Sequence, residues 1–182
     1  MSKKIIFLDF DGVLNSSLDW GRTTKNPNKK GLTGILWDAE DIDTQFVKRL
    51  NKIIRETGAE IVYSTSWRLY RNLEQLTGIL ECRGLKGTAI GLTPDLSQQG
   101  EIWFGSDRAD EVKKWLDSCE DEVYSFVILD DGWEEGFIKQ FGDNFILMEK
   151  SAGLQKHHVK KAIKILGKKD ELREVQKEGV DV

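Results

Sequence analysis

Four short apolar runs stand out along the chain, at Lys4–Asp9, Ala59–Ser64, Val123–Asp130 and Asn144–Met148. Each is continuous rather than alternating, and each stops at polar residues. That is the pattern of strands buried on both faces of a parallel sheet. Between the first two runs, Phe46, Val47, Leu50, Ile53 and Ile54 recur at helical spacing and predict an amphipathic helix over 44–57, with Thr44 to open it and Gly58 to close it. Similar periodicity predicts helices over 69–82, 107–117 and 155–166. Strands alternating with helices of this length require right-handed crossovers, which makes the expected fold a Rossmann-like three-layer α/β/α sandwich with a parallel central sheet. Residues 16–43 and 84–106 interrupt the periodicity as loop insertions of a length that is usually functional. The expectation is one domain over 1–167, followed by a charged tail over 168–182.

In such sheets a ligand lies beyond the carboxyl ends of the strands, where Asp9, Ser64 and Asp130 all fall. Asp9 and Asp11 flank Phe10 at the end of the first run, and in an extended chain residues two apart project to one side. Two close carboxylates repel unless a cation or a proton lies between them, and hard oxygen donors suit Mg2+. Gly12 lets the chain turn away sharply after them.

The stretch Asp9-Phe10-Asp11-Gly12-Val13 resembles the first motif of the haloacid dehalogenase-like (HAD) hydrolase superfamily. Three later stretches resemble its other motifs in the same order. Ile61-Val62-Tyr63-Ser64 resembles the second, a hydroxyl at the end of an apolar strand that holds a phosphoryl oxygen, with Thr65 or Ser66 as alternatives in the same row. Arg108 fits the third, a lone basic residue near a helix start, ahead of Lys113 and Lys114, which lie within the helix on its solvated face. Phe126-Val127-Ile128-Leu129-Asp130-Asp131 resembles the fourth, in which Asp131 completes a metal's oxygen shell with Asp9 while Asp130 acts through water. Arg68, four residues after Ser64, resembles an arginine of a small subgroup that includes the phosphatase halves of RNA-repair polynucleotide kinases, where its planar fork grips a substrate phosphate. The resemblance covers about residues 4–166 and includes Thr57-Gly58-Ala59, Gly91-Leu92-Thr93-Pro94 and Ser151-Ala152-Gly153-Leu154.

That resemblance implies a Mg2+-dependent phosphatase. Asp9 is the nucleophile that becomes an aspartyl phosphate, Asp11 is the general acid and base, and Ser64 and Arg108 offset phosphoryl charge. Asp9, Asp11, Asp130 and Asp131 form the expected metal set, with Arg68, Thr65 and Gly12 toward the substrate. Both insertions are too short for a large cap domain, so an open site and a large phosphorylated substrate are expected, such as a nucleotide or a nucleic-acid end. The competing readings are another HAD reaction type and a noncatalytic module of the same fold that holds a protein or RNA partner.

Composition narrows these readings. A net charge of −4 excludes a global field that would hold a polyanion nonspecifically, and leaves only a local patch such as Arg22, Lys25, Lys29 and Lys30, expected to be ordinary surface lysines and arginine on a solvated loop. Cys82 and Cys119 lack the paired spacing of zinc or redox sites and fit reduced thiols in a cytoplasmic protein. No run reaches membrane-spanning length, and the N-terminus lacks the features of a secretory signal. Trp67 and Trp133 are expected to pack the sheet ends rather than stack on a base, and His157 and His158 are expected at the surface.

Overall fold

In the computed structural model, which describes residues 2–16, 29–96, 108–132 and 134–168, five strands form one parallel sheet. They are β1 Lys3–Leu8, β2 Glu60–Tyr63, β3 Ala89–Leu92, β4 Val123–Asp130 and β5 Phe145–Leu147, hydrogen-bonded in the order β3-β2-β1-β4-β5. The central strands are apolar throughout because both of their faces are covered. Ile6 and Leu8 of β1 enter one core with Val127 and Leu129 of β4, while Ile5 and Phe7 enter the other with Phe126 and Ile128.

Six α-helices flank the sheet among the described residues: α1 Gly34–Ala39, α2 Thr44–Thr57, α3 Leu73–Cys82, α4 Arg108–Ser118, α5 Glu134–Phe141 and α6 Lys156–Leu166. Leu50 and Ile53 of α2, Leu76 and Ile79 of α3 and Val159 and Ala162 of α6 build the first core. Val112 and Leu116 of α4 with Phe137 and Phe141 of α5 build the second. The result is the expected three-layer sandwich.

Several local expectations are corrected. Residues 84–106 were expected to be irregular, yet Ala89–Leu92 pairs with β2 as an edge strand. Its four residues are only partly buried, and Gly91 faces the Trp115 indole so closely that a Cβ would stand 3.1 Å from Nε1. So short and glycine-bearing a run carries little strand signal. Helix α5 was not expected either, because among its described side chains only Phe137 and Phe141 are buried. The helix expected over 69–82 is instead a 3-10 turn, Ser66–Leu69, followed by α3, which Asn72 opens through a reciprocal pair of bonds with Gln75. Asp43 rather than Thr44 caps α2, accepting from the Gln45 N–H, whereas Gly58 closes it at φ 69° as expected. The insertion at 16–43 contains α1. Arg22, Lys25, residues 97–107 and Trp133, like the tail from residue 169 onward, lie outside the described residues.

Candidate active site

The backbone ladder continues past the strands at one rim of the sheet. Thr93 N–H donates to Tyr63 O, Ser64 N–H to Leu8 O, Asp9 N–H to Leu129 O, and Met148 N–H to Asp130 O. Thr93, Ser64, Asp9 and Asp130 therefore stand side by side in the order of the strands that carry them, at the carboxyl edge where ligands of parallel sheets bind.

Arg108, the first residue of α4, reaches across this rim. Its Nη1 lies 2.6 Å from Asp9 Oδ2 and 2.7 Å from Asp130 Oδ2. Asp9 Oδ1 also accepts from the Phe10 N–H at 2.8 Å, and Asp130 Oδ1 from the Gly132 N–H at 2.9 Å. Lys113, the alternative third-motif residue, is exposed and pairs with Asp117 one turn along α4.

Asp9, Asp130 and Asp131 offer carboxylate oxygens that all lie within 4.8 Å of one another. Burial pushes the Asp9 carboxyl above its usual range, against the pull of Arg108 and the Phe10 N–H. Burial, with Asp9 beside it, raises Asp130 to about 7. Burial likewise raises Asp131. Burial disfavours the charge on Arg108 as well, but Asp9 and Asp130 outweigh it and hold that residue above the ordinary arginine value. Three carboxylates against one guanidinium leave an excess of negative charge, which a hard divalent cation such as Mg2+ would balance. Gly12 adds a steric observation. Its φ is 69°, and a Cβ there would stand 2.1 Å from Asp131 Oδ2. The absence of a side chain at Gly12 is thus what lets Asp131 reach the cluster. The donor set fits such an ion, and no protein cation other than Arg108 bonds to it among the described residues.

Asp11 does not join this cluster, contrary to its expected place among the metal carboxylates. The alternation argument fails because β1 ends at Leu8, and Phe10 to Leu14 fold into a turn closed by the Leu14 N–H on Phe10 O. Asp11 Oδ1 instead accepts from Asn15 Nδ2, and Oδ2 from Trp67 Nε1, both at 2.9 Å. Asn15 Oδ1 in turn accepts from the Gly12 N–H at 2.8 Å, so that N–H is not directed at a substrate. Trp67 packs against Phe10, as expected of a buried tryptophan, but its donation to Asp11 was not foreseen. Asn15 was missed altogether. The only signal in the sequence was a side-chain amide four residues after Asp11.

On the other side of Asp9, the Ser64 hydroxyl is fully buried and has no hydrogen-bond partner among the described residues, and the Thr93 hydroxyl one strand further is in the same condition. Thr65 Oγ1 caps the 3-10 turn by accepting from the Trp67 N–H. Arg68 is corrected more sharply. Its guanidinium donates to the carbonyls of Ser64, Thr65 and Thr93 and pairs with Glu111 of α4, with both side chains nearly sequestered from solvent. That fork ties the ends of β2 and β3 to α4 and does not present itself to a phosphate. His158 is corrected too, being buried with Nδ1 accepting from the Gln155 N–H at the start of α6.

No helix among the described residues is long and apolar enough to cross a membrane. No curated protein and no solved structure matches the chain. A family model does match, over residues 5–159, and it describes the HAD domain in Swiss Army Knife RNA repair proteins; with most of its length inside that match, the chain belongs to this family of haloacid dehalogenase-like domains.

Proposed function

We propose that the protein is a Mg2+-dependent phosphatase that hydrolyses phosphomonoesters through an aspartyl phosphate on Asp9, with the terminal phosphate of an RNA or a nucleotide as substrate. The observation that carries this reading is the convergence of Asp9, Asp130 and Asp131 under a single arginine, with orphaned hydroxyls on the adjoining strand ends. A buried hydroxyl without a partner costs on the order of 1–3 kcal/mol, so Ser64 and Thr93 are better explained if a phosphoryl oxygen completes them.

Asp9, Asp130 and Asp131 would hold the ion, which when bound supplies positive charge against the phosphoryl group and the nucleophile. The remaining work falls to the chain. An Asp9 carboxylate oxygen attacks phosphorus in line, the bond to the ester oxygen breaks, and Asp11 gives the departing oxygen its proton. Asp11 then takes a proton from water as that water attacks the acyl phosphate, releasing inorganic phosphate and restoring Asp9. Asn15 and Trp67 hold one lone pair on each Asp11 oxygen and leave the others for this shuttle. Arg108 opposes the charge that builds on the transferring group.

The inserted segments hold too few residues for a large independent cap, and β3 takes four of them into the sheet. The absence of room for a large cap fits a polymer end as substrate, and the family description names RNA repair. Phosphate release from 3′- and 5′-phosphorylated oligoribonucleotides, nucleotides, phosphopeptides and sugar phosphates, with and without Mg2+, tests the reading against Asp9→Asn. Turnover that survives Asp9→Asn, or a lack of turnover on every phosphomonoester, would refute it.

A further inference from the structure

The net charge of −4 hides a strong local asymmetry. Helices α2 and α6 pack side by side, and together they carry eight lysines and arginines with Glu56 as the lone carboxylate in either. Between them lies a groove of about 480 Å³. Lys48, Arg49, Lys52 and the carboxylate Glu56 line one wall, and Lys156 and Lys160 line the other, so the lining carries five cations against one anion.

The two rows are built by helical spacing. Lys48 and Lys52 are one turn apart on α2, as are Lys156 and Lys160 on α6, a rise of about 6 Å in each case. Arg49 is pinned by its bond to Leu154 O and by the Phe46 ring beneath it. Lys52 has only a 3.8 Å contact with Glu56. Lys48, Lys156 and Lys160 are exposed and form no ion pair among the described residues. Unpaired like charges facing one another across a groove repel, and an anionic ligand relieves that repulsion.

The helices that wall the groove also begin near the candidate site. Just before α2, the Asp43 N–H bonds to Leu14 O, and just before α6, the Leu154 N–H bonds to Val13 O. Both helices therefore start beside the turn that carries Asp11 and run away from the rim. Lys150, in the segment between β5 and α6, lies close enough to Asp131 for its charge to act on that carboxylate. Lys150 thus places one further cation beside the carboxylate cluster, on the segment that enters α6. By contrast, Lys29 of the patch suggested by the sequence is buried against Asp41 and Trp37.

We infer that the α2/α6 groove binds the sugar–phosphate backbone of a single-stranded nucleic acid whose terminal phosphate lies at the Asp9 rim. This rests on the phosphatase reading for the position of the end, but not for the binding itself. A narrow cationic groove that tracks a backbone is how sequence-tolerant single-strand binding is achieved. The experiment measures fluorescence anisotropy of a labelled, phosphorylated ten-nucleotide RNA on the Asp9→Asn chain across a salt series, so that turnover plays no part. The variant Lys48→Gln/Lys156→Gln/Lys160→Gln is compared with Lys113→Gln/Lys114→Gln/Lys139→Gln on the opposite layer, and circular dichroism checks that both are folded. The groove variant is expected to bind about 10- to 100-fold more weakly at low salt and to lose about 2 from the slope of log K against log salt, while the control keeps both. Equal losses in the two variants, or no loss in the groove variant, would overturn the proposal. So would groove-dependent binding of vesicles containing anionic lipid combined with unchanged RNA affinity.

Discussion

The indole N–H of Trp67 donates to Asp11 Oδ2 at 2.9 Å, which joins the end of β2 to the turn after β1 through a side chain rather than through the sheet. Asn15 holds the other oxygen. The aspartate expected to move protons is thereby oriented by two neutral donors and stands outside the group of three carboxylates suited to a metal.

Trp67→Phe keeps an aromatic ring edge-on against Phe10 but removes the donor. Turnover of alkyl phosphates, whose leaving groups need a proton, is expected to fall about 10- to 100-fold. Turnover of p-nitrophenyl phosphate, whose leaving group does not, is expected to fall much less. Equal losses on both substrates in steady-state assays would place Trp67 in packing alone.

Gly12→Ala puts a methyl group where Asp131 Oδ2 now sits, at a φ that other residues rarely adopt. The displaced carboxylate is expected to weaken Mg2+ binding by about 10- to 100-fold. Isothermal titration calorimetry on wild type and variant reads this directly, and equal affinities would dissociate Asp131 from the ion.

If a divalent cation sits among Asp9, Asp130 and Asp131, chelation is expected to restore the repulsion among them. Saturating Mg2+ is therefore expected to stabilise the fold, by about 2.7 kcal/mol at a concentration 100 times its Kd. Urea unfolding with Mg2+ and with chelator should show that gap in wild type and lose most of it in Asp131→Asn.

Arg68 and Glu111 are nearly sequestered as a pair, so removing either leaves an unpaired buried charge. Arg68→Met is expected to cost about 3–5 kcal/mol of stability. A variant that instead kept its denaturation midpoint and raised KM would return Arg68 to the substrate.

His158 gives a pH dependence. Burial first, then the charges of His157 and Lys161, lower its pKa from 6.5 to about 4. The folded state thus prefers the neutral ring, whose Nδ1 accepts from Gln155. The His158 contribution is complete above pH 6.5 and is lost as pH falls from there toward 4. Urea midpoints measured across this window should decline more steeply for wild type than for His158→Gln.

The amino-acid sequence was sufficient for the parts of this protein that depend on local pattern. The apolar runs at β1, β2, β4 and β5, the helical spacing of α2 and α6, and the order of Asp9, Ser64, Arg108 and Asp130 along the chain are all one-dimensional features. Burial on both faces of a parallel sheet writes itself into the sequence as unbroken hydrophobicity, and a polar residue at the end of such a run marks the rim. Strand β3 and helix α5 were less legible, because each is held by few apolar side chains and by contacts such as Gly91 against Trp115.

Tertiary structure alone decided which polar atoms meet. Arg68 was free to face a phosphate until the fold brought Glu111 to it from α4, and Asp11 could not be separated from Asp9 until the strand was seen to stop at Leu8. The same holds for Gly12 beneath Asp131, for Trp67 against Asp11, and for two basic helices, about 100 residues apart in the chain, that face each other across one groove. Hydrogen bonds and charges act over a few ångströms with strict direction, and periodicity along a chain carries no information about such distances between remote segments.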